Sequence, residues 1–357
     1  MAATIKDVAQ LAGVSLSTVS RVLSNNPTHR VKPETAKKVL DAVVELNFFP
    51  NEHARELRRK KSNTKCYNIG VLLASASDSY NDSFFYDILL GIQAEAASLG
   101  HTISFSSALR SSSPTIIGES LKQFGGNGII LLGRMNADIL HLVRKNTKHI
   151  VYAGLNPLNQ SIDEVFCDGH ACAKTAVYHL ASCGYKKIGF IGTATFSGSS
   201  ALINEYRYDG YIDSLKDLGL PFNKSYVIDT PLNIEMAYEA LSSKLQSSDL
   251  PDAYFCANDY CAIGALKALR EHRVKVPQDV AIIGIDDIDT SAFTKPSLTT
   301  IQIPRHEIGK FSVRILCDQI ESRRKYPLKV ELPYKLMIRE SCGPSSNTIS
   351  LPYKHQF

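Results

Sequence analysis

Residues Thr4 to Ser24 read TIKDVAQLAGVSLSTVSRVLS, and the rest of the chain is arranged around this stretch. Two helical patterns abut across one glycine. Ile5, Val8, Ala9 and Ala12 recur at helical spacing, Thr4 stands where an N-cap belongs, and Asp7 puts a carboxylate in the positive first turn. Gly13 ends this helix, because a left-handed residue there costs glycine no Cβ clash. Ser15 caps a second helix, with Val19, Val22 and Leu23 facing inward and Leu16, Ser17, Thr18, Ser20 and Arg21 facing out. A short turn between two such helices makes a helix-turn-helix, a scaffold that lays its second helix into the major groove of DNA. An ordinary αα-hairpin has the same helical pattern, so periodicity alone leaves both readings open.

Residue identity narrows the choice. The run resembles the N-terminus of the LacI/GalR (lac-repressor) family, whose signature reads nearly TIKDVAxxAGVSxxTVSRVL. The likeness continues through Val31-Lys32-Pro33-Glu34-Thr35 and Phe49-Pro50-Asn51-Glu52-His53-Ala54-Arg55-Glu56-Leu57, and then more weakly to about Cys342. So many matched positions in one block are far more specific than a lone short motif.

At 357 residues the chain exceeds one ordinary core, so two or three domains are expected. Its net charge of +5 is segregated: residues 1–62 hold 11 Lys and Arg against 6 Asp and Glu, while the remainder hold 29 of each. A small basic domain on a neutral body points to a polyanion as partner of the small domain alone. The eight cysteines form no C-x-x-C pair and no zinc-spaced cluster. Most lie in apolar runs, where cysteine behaves as a small hydrophobe. No signal peptide precedes the first helix, and no apolar run approaches the ~20 residues of a membrane span. A reduced, cytoplasmic protein without membrane contact is expected.

Pro33 opens a third helix whose Thr35, Val39, Ala42, Val43 and Leu46 close over the first two. Residues 1–49 thus form an all-α helix-turn-helix domain. Residues 50–65 differ: Asn51 to Arg58 is helical in pattern, but about eight residues is well below the ~12–15 at which a helix holds alone in water. The residues by themselves fit a flexible tether. The resemblance instead implies a hinge helix that folds when two copies meet in the minor groove, with Leu57 wedged between base pairs as apolar residues can be. It also implies DNA contacts from Thr4, Ser15, Leu16, Ser17, Thr18, Ser20, Arg21 and Asn25, and from Asn51, Ala54, Arg55, Leu57 and Arg58.

From Tyr67 short apolar runs alternate with helices. Strands are expected at 69–73, 102–106, 128–132 and 150–153, with helices at 83–99, 115–124 and 137–145. A second series places strands at 165–167, 187–191, 226–228, 253–256 and 281–285, with helices at 170–182, 205–218, 234–245 and 259–272. Such alternation predicts α/β architecture, parallel doubly wound sheets with helices on both faces. The strands are too numerous for one sheet, so two lobes breaking near residue 160 are expected. The resemblance implies a two-lobed, periplasmic-binding-protein-like core over 66–342. It assigns 66–162 and 299–328 to the lobe nearer DNA, 163–298 and 329–342 to the far lobe, and 343–357 to a C-terminal tail.

No enzyme motif occurs: no G-x-S-x-G, P-loop, H-E-x-x-H, or G-x-G-x-x-G after a strand. The expectation is a non-enzyme without cofactor or metal. Gly125-Gly126-Asn127-Gly128 reads as a tight turn, and Ser197-Gly198-Ser199-Ser200 as a loop. The resemblance places an effector cleft at Arg207 in the R-x-x-G-Y run, Asp286 at the end of Ile283-Gly284-Ile285-Asp286, Asn258, and an aromatic pair, Phe84 and Phe85. Asp168 and Leu232 complete the implied set. Each has a structural alternative: Arg207 and Asp286 could pair with each other, and Phe84 could be core. A carboxylate, an arginine and an amide beside aromatics suit a sugar, whose hydroxyls need directional partners and whose C–H faces pack on rings. Leu232 replaces an aromatic common in related proteins, and Ala153 an aspartate.

The resulting expectation is a homodimeric transcription repressor on a near-palindromic double-stranded operator, controlled by a small sugar or sugar derivative. A catabolite-control-type regulator answering to a phosphorylated carrier protein, or a purine-type corepressor-dependent regulator, is the alternative. An enzyme or a transport-type binding protein is opposed by the basic N-terminal domain and the absent signal peptide. Leu16 can meet a thymine methyl and Ser17 can hydrogen-bond to bases of either kind. Exchanging this pair for other residues should therefore change the preferred operator, at about 1–3 kcal/mol per base pair lost. Binding-site selection on the exchanged protein checks this, and an unchanged consensus would refute it.

Overall fold

Side-chain alternation along the strands sets the layers of the core. The computed structural model describes residues 9–16, 18–19, 35, 38–39, 42, 65–74, 83–108, 114–133, 137–194, 205–246, 249–322 and 324–343. The chain divides into two compact units, Met1–Lys65 and Cys66–Phe357.

In the first unit Ala9, Ala12, Val19, Val39 and Ala42 are buried, and each stands at a position that the helical spacing turns inward. Gly13 has φ +64, its N–H donates to the Gln10 carbonyl at 3.3 Å, and that of Val14 donates to Ala9 at 3.0 Å. That is the paired closure of a glycine-ended helix.

The second unit opens with β1 (Asn68–Ala74), α1 (Ser83–Leu99), β2 (Thr102–Ala108), α2 (Pro114–Phe124), β3 (Gly128–Gly133), α3 (Ala137–Asn146), β4 (Ile150–Leu155) and β5 (Asp163–Cys167). A second run follows: α4 (Gly169–Ser182), β6 (Ile188–Gly192), α5 (Arg207–Asp217), β7 (Val227–Asp229), α6 (Ile234–Lys244), β8 (Ala253–Cys256), α7 (Asp259–Glu271) and β9 (Ala281–Asp286). The chain then passes through β10 (Thr299–Gln302), α8 (Arg305–Glu321), β11 (Lys329–Glu331) and β12 (Lys335–Met337).

Among the described residues two six-stranded sheets result, ordered β11-β5-β4-β3-β1-β2 and β12-β10-β9-β8-β6-β7. Among these strands every pairing is parallel except β12 with β10. Period-2 geometry sends alternate residues to opposite faces. Val71, Leu73, Ile130 and Val151 pack into one apolar cluster, and Leu72, Ile129, Leu131 and Tyr152 into another across the same sheet. Both faces are covered, as parallel sheets require. No helix among the described residues is long and apolar enough to cross a membrane.

The lobe boundaries differ from those the resemblance implies. β5, expected in the far lobe, joins the first sheet beside β4; β10, expected in the near lobe, joins the second beside β9. Each strand pairs with the edge beside its neighbour in sequence, β5 with β4 and β10 with β9, which satisfies that edge's backbone groups before the chain crosses. The stretch 329–342 does not lie wholly in the far lobe either. Its first strand, β11, pairs with β5 and its second, β12, with β10, and Pro333, which has no N–H to donate, stands between them. The chain therefore crosses between lobes near 168, 303 and 333.

Helix α8 returns to the first lobe and packs on α1 through facing glycines. A Cβ on Gly91 would lie 2.1 Å from the His306 carbonyl oxygen, and one on Gly309 2.1 Å from that of Ile88. Alanine is the better helix former by ~1 kcal/mol, but here it meets rigid backbone that cannot swing aside. Gly309→Ala should lower the core's stability by about 1–3 kcal/mol net, seen as a Tm several degrees below the parent's. An unchanged or raised Tm would show that the helices part without loss.

Candidate functional site

Doubly wound sheets bind ligands outside the carboxyl ends of their strands, where the strand order reverses. Here the order reverses at β1 and at β6. A cavity of about 40 Å³ lies where the carboxyl ends of the two sheets face each other. The first lobe lines it with Phe84, Phe85, Gly133, Tyr152 and Asn156, and the second with Glu205, Arg207, Leu232, Asn258 and Asp286.

Arg207 opens α5 and is 5 % exposed. Its Nε donates to Glu205 Oε1 at 2.6 Å, its Nη2 to Glu205 Oε2, and its Nη1 to the Ala257 carbonyl at 2.7 Å. Burial alone would push the guanidinium pKa down. The Glu205 carboxylate, helped by Asp286, overturns that and holds it above its ordinary value. The expected alternative pair of Arg207 with Asp286 is thus replaced by Arg207 with Glu205.

Asp286 ends β9 with φ 124, and Asp287 follows with φ 51. Two successive non-glycine residues at positive φ are strained, and such strain persists only where surrounding structure fixes it. Several bonds do so here. Arg339 Nη2 donates to Asp287 Oδ1 at 2.6 Å, Gln302 Nε2 to its Oδ2 at 2.9 Å, and the Ile288 N–H to Asp259 Oδ2 at 3.1 Å.

Asn258 has two jobs. Its Oδ1 accepts the Cys261 N–H at 2.9 Å, capping α7, while the residue also lines the cavity. Phe84 likewise serves both the core and the cavity wall, meeting Phe85 edge-on at 5.1 Å. Leu232 is buried in the wall. Asp168 stands apart from these residues: its carboxylate caps α4, accepting the N–H groups of His170 at 2.9 Å and Ala171 at 3.1 Å. Beside the cavity, the Ser83 N–H donates to the Tyr260 hydroxyl at 3.0 Å, tying α1 of one lobe to α7 of the other.

On the helix-turn-helix, Ser15 Oγ accepts the Thr18 N–H at 3.2 Å, the geometry of an N-cap. Leu16 is 44 % exposed at the start of that helix. Thr4, Ser17, Ser20, Arg21, Asn25, Asn51, Ala54, Arg55, Leu57 and Arg58 lie outside the described residues.

Residues 4–51 match the model for bacterial regulatory proteins of the lacI family, and residues 177–342 that for a periplasmic binding protein-like domain. The HTH-type transcriptional repressor PurR of Pasteurella multocida (strain Pm70) is 33% identical over 344 residues, spanning 95% of this chain and 98% of that protein. The chain belongs to the LacI family of bacterial transcriptional regulators. The HTH-type transcriptional regulator GalR of Streptococcus thermophilus is 29% identical over 343 residues, covering 95% and 99% of the two chains. The solved complex of the transcriptional regulator CelR with cellobiose superposes with a TM-score of 0.69 at 25% identity, covering 95% of this chain and 99% of that one. A lac repressor dimer bound to operator shares the fold, with a TM-score of 0.70 at 23% identity over 96% of this chain and 100% of its own. Family membership makes this chain a DNA-binding transcription regulator, and its helix-turn-helix supplies the means.

Sequence reasoning missed Glu205, Asn156 and Asp259. For Glu205 one signal existed: an arginine expected in a cleft needs a counter-charge, and this carboxylate stands two residues before it. Asp259 is fully buried, and burial pushes its carboxyl from 3.8 up to about 7, against the pull of hydrogen bonds from Ser291 Oγ and Thr300 Oγ1, both 2.6 Å, and the Ile288 N–H. A Cβ on Gly284 would lie 2.2 Å from Asp259 Oδ1, so glycine alone lets β9 pass over it. Because the folded pKa is raised, Asp259's stabilising contribution is intact below about pH 4 and is lost as pH rises to about 7. Between those limits the parent's Tm should fall relative to that of Asp259→Asn, which has no such proton to lose. Parallel slopes for the two proteins in a Tm–pH series would contradict this.

Proposed function

We propose that this chain is a cytoplasmic, homodimeric repressor whose hold on a near-palindromic operator is controlled by a small sugar or sugar derivative bound between the two lobes. The observation that carries this reading is the cavity itself: Asp286, Asn258 and the Arg207–Glu205 pair from one lobe face Phe84 and Phe85 from the other. Directional polar groups opposite aromatic faces suit a polyhydroxylated ring. The CelR structure, with cellobiose, supports the same class. The cavity is lined from both lobes, so a ring bound there touches the two bodies at once. The ligand then biases the lobe arrangement by its differential affinity for open and closed forms. Leu57 and the basic stretch around it would pass that bias to DNA.

A ligand at a hundredfold its Kd stabilises the folded core by roughly 2.7 kcal/mol, a Tm rise of several degrees at about 2–4 °C per kcal/mol. Among mono- and disaccharides screened by thermal shift, at least one should raise Tm this way and also change operator affinity. Asp286→Asn should lose both effects together. Arg207→Ala is the poorer test, because it leaves Glu205 buried without its partner. A full sugar response in Asp286→Asn would place the effector site elsewhere.

A further inference from the structure

We propose that Glu205 acts as a charge filter: by filling the Arg207 fork it restricts the cavity to ligands without negative charge and turns away phosphorylated or carboxylated ones. This rests on the reading of the cavity as the effector site and adds a selection rule to it.

An arginine in a cleft is ordinarily an anion clamp, because the edge formed by Nε and one terminal nitrogen matches a carboxylate or phosphate with two parallel hydrogen bonds. In this protein Glu205 holds that edge through Nε and Nη2, and the Ala257 carbonyl holds Nη1. The Glu205 side chain is 2 % exposed and that of Arg207 6 %, so in this closed arrangement both are held within the cavity wall. A ligand anion that displaced Glu205 would strand its carboxylate in a low-dielectric site, a heavy penalty for a buried charge.

The charges point the same way. Among the described residues lining the cavity the charged groups are Glu205, Asp286 and Arg207, leaving one negative charge in excess. An incoming phosphate meets like charge at short range with little water to screen it. An uncharged hydroxyl meets acceptors instead, since carboxylate oxygens take its proton in a hydrogen bond without charge repulsion.

The test uses the full-length protein and matched pairs: ribose with ribose 5-phosphate, galactose with galactose 6-phosphate, cellobiose with cellobiose 6′-phosphate, glucose with glucuronate, and hypoxanthine with inosine monophosphate. Affinities come from calorimetry and thermal shift. The parent should bind the uncharged member of at least one pair at least tenfold more tightly than its anionic partner. Glu205→Gln should shrink that ratio by tenfold or more, mainly by gaining affinity for the anion, and Glu205→Asp should restore it. Because the ratio is taken within one protein, a general loss of stability cancels, and the parent's own ratio decides the charge preference if Glu205→Gln does not fold. A parent that prefers the anionic member of a pair overturns the proposal, as does a ratio unmoved in folded Glu205→Gln. Selective binding of hypoxanthine over inosine monophosphate, with no sugar bound, would uphold the filter while overturning the sugar reading. Binding of none of the probes would overturn both.

Discussion

A guanidinium taken out of water must have its charge and its donors answered inside the protein. Arg207 is nearly fully buried, and the structure around the cavity follows from answering it. Glu205 supplies the charge from the loop before α5, and Ala257 supplies a carbonyl from the end of β8. One side chain thus holds together the carboxyl-end loops of neighbouring strands in the second lobe. The pair also fixes what the cavity offers a ligand, since the arginine edge suited to an anion is already occupied.

A second buried ionisable group performs a mechanical task. Asp259 receives Ser291, Thr300 and the Ile288 backbone, and so draws the segment after β9 down onto α7. Asp286 and Asp287 precede that segment at positive φ, a conformation that a free loop would abandon. Gln302, beside the crossing near 303, and Arg339, just beyond β12, hold Asp287. The strained turn carrying the cavity's carboxylate is therefore anchored to the elements that connect the lobes. A change in lobe arrangement has a short physical path to Asp286.

The three crossings near 168, 303 and 333 shape how the lobes relate. β5 and β10 end the runs of their own lobes, whereas β11 and β12 are reached only after a crossing, β11 finishing the first sheet and β12 the second. Helix α8 then locks to α1 through glycines too close for any side chain. The ion pair of Arg305 with Asp87 at 2.9 Å fastens α8 to α1 within the first lobe, and the Ser83–Tyr260 bond joins that lobe to the second. Such polar links exchange readily for water, whereas the apolar interior of each lobe does not. The arrangement suits lobes that move as bodies about short connectors.

Local chemistry made much of this legible in the sequence. The helix pair around Gly13 was readable because glycine, the Ser15 cap and the 3.6-residue spacing act within a few residues of one another. The helix at Ser83–Leu99, ended by Gly100, and the strand at Ala253–Cys256 were likewise readable, each carrying its own periodicity and stop. Family likeness pointed to Arg207, Asn258, Asp286 and the Phe84–Phe85 pair, all of which line one cavity. What the sequence could not decide depends on distant partners. Whether β5 and β10 belong to one lobe or the other turns on which sheet edge is open, and no local pattern records that. Glu205 as the counter-ion of Arg207, Asp168 as a helix cap rather than cavity lining, and Asp259 as a buried anchor all follow from burial and through-space pairing. Those are set only when the strands are brought side by side.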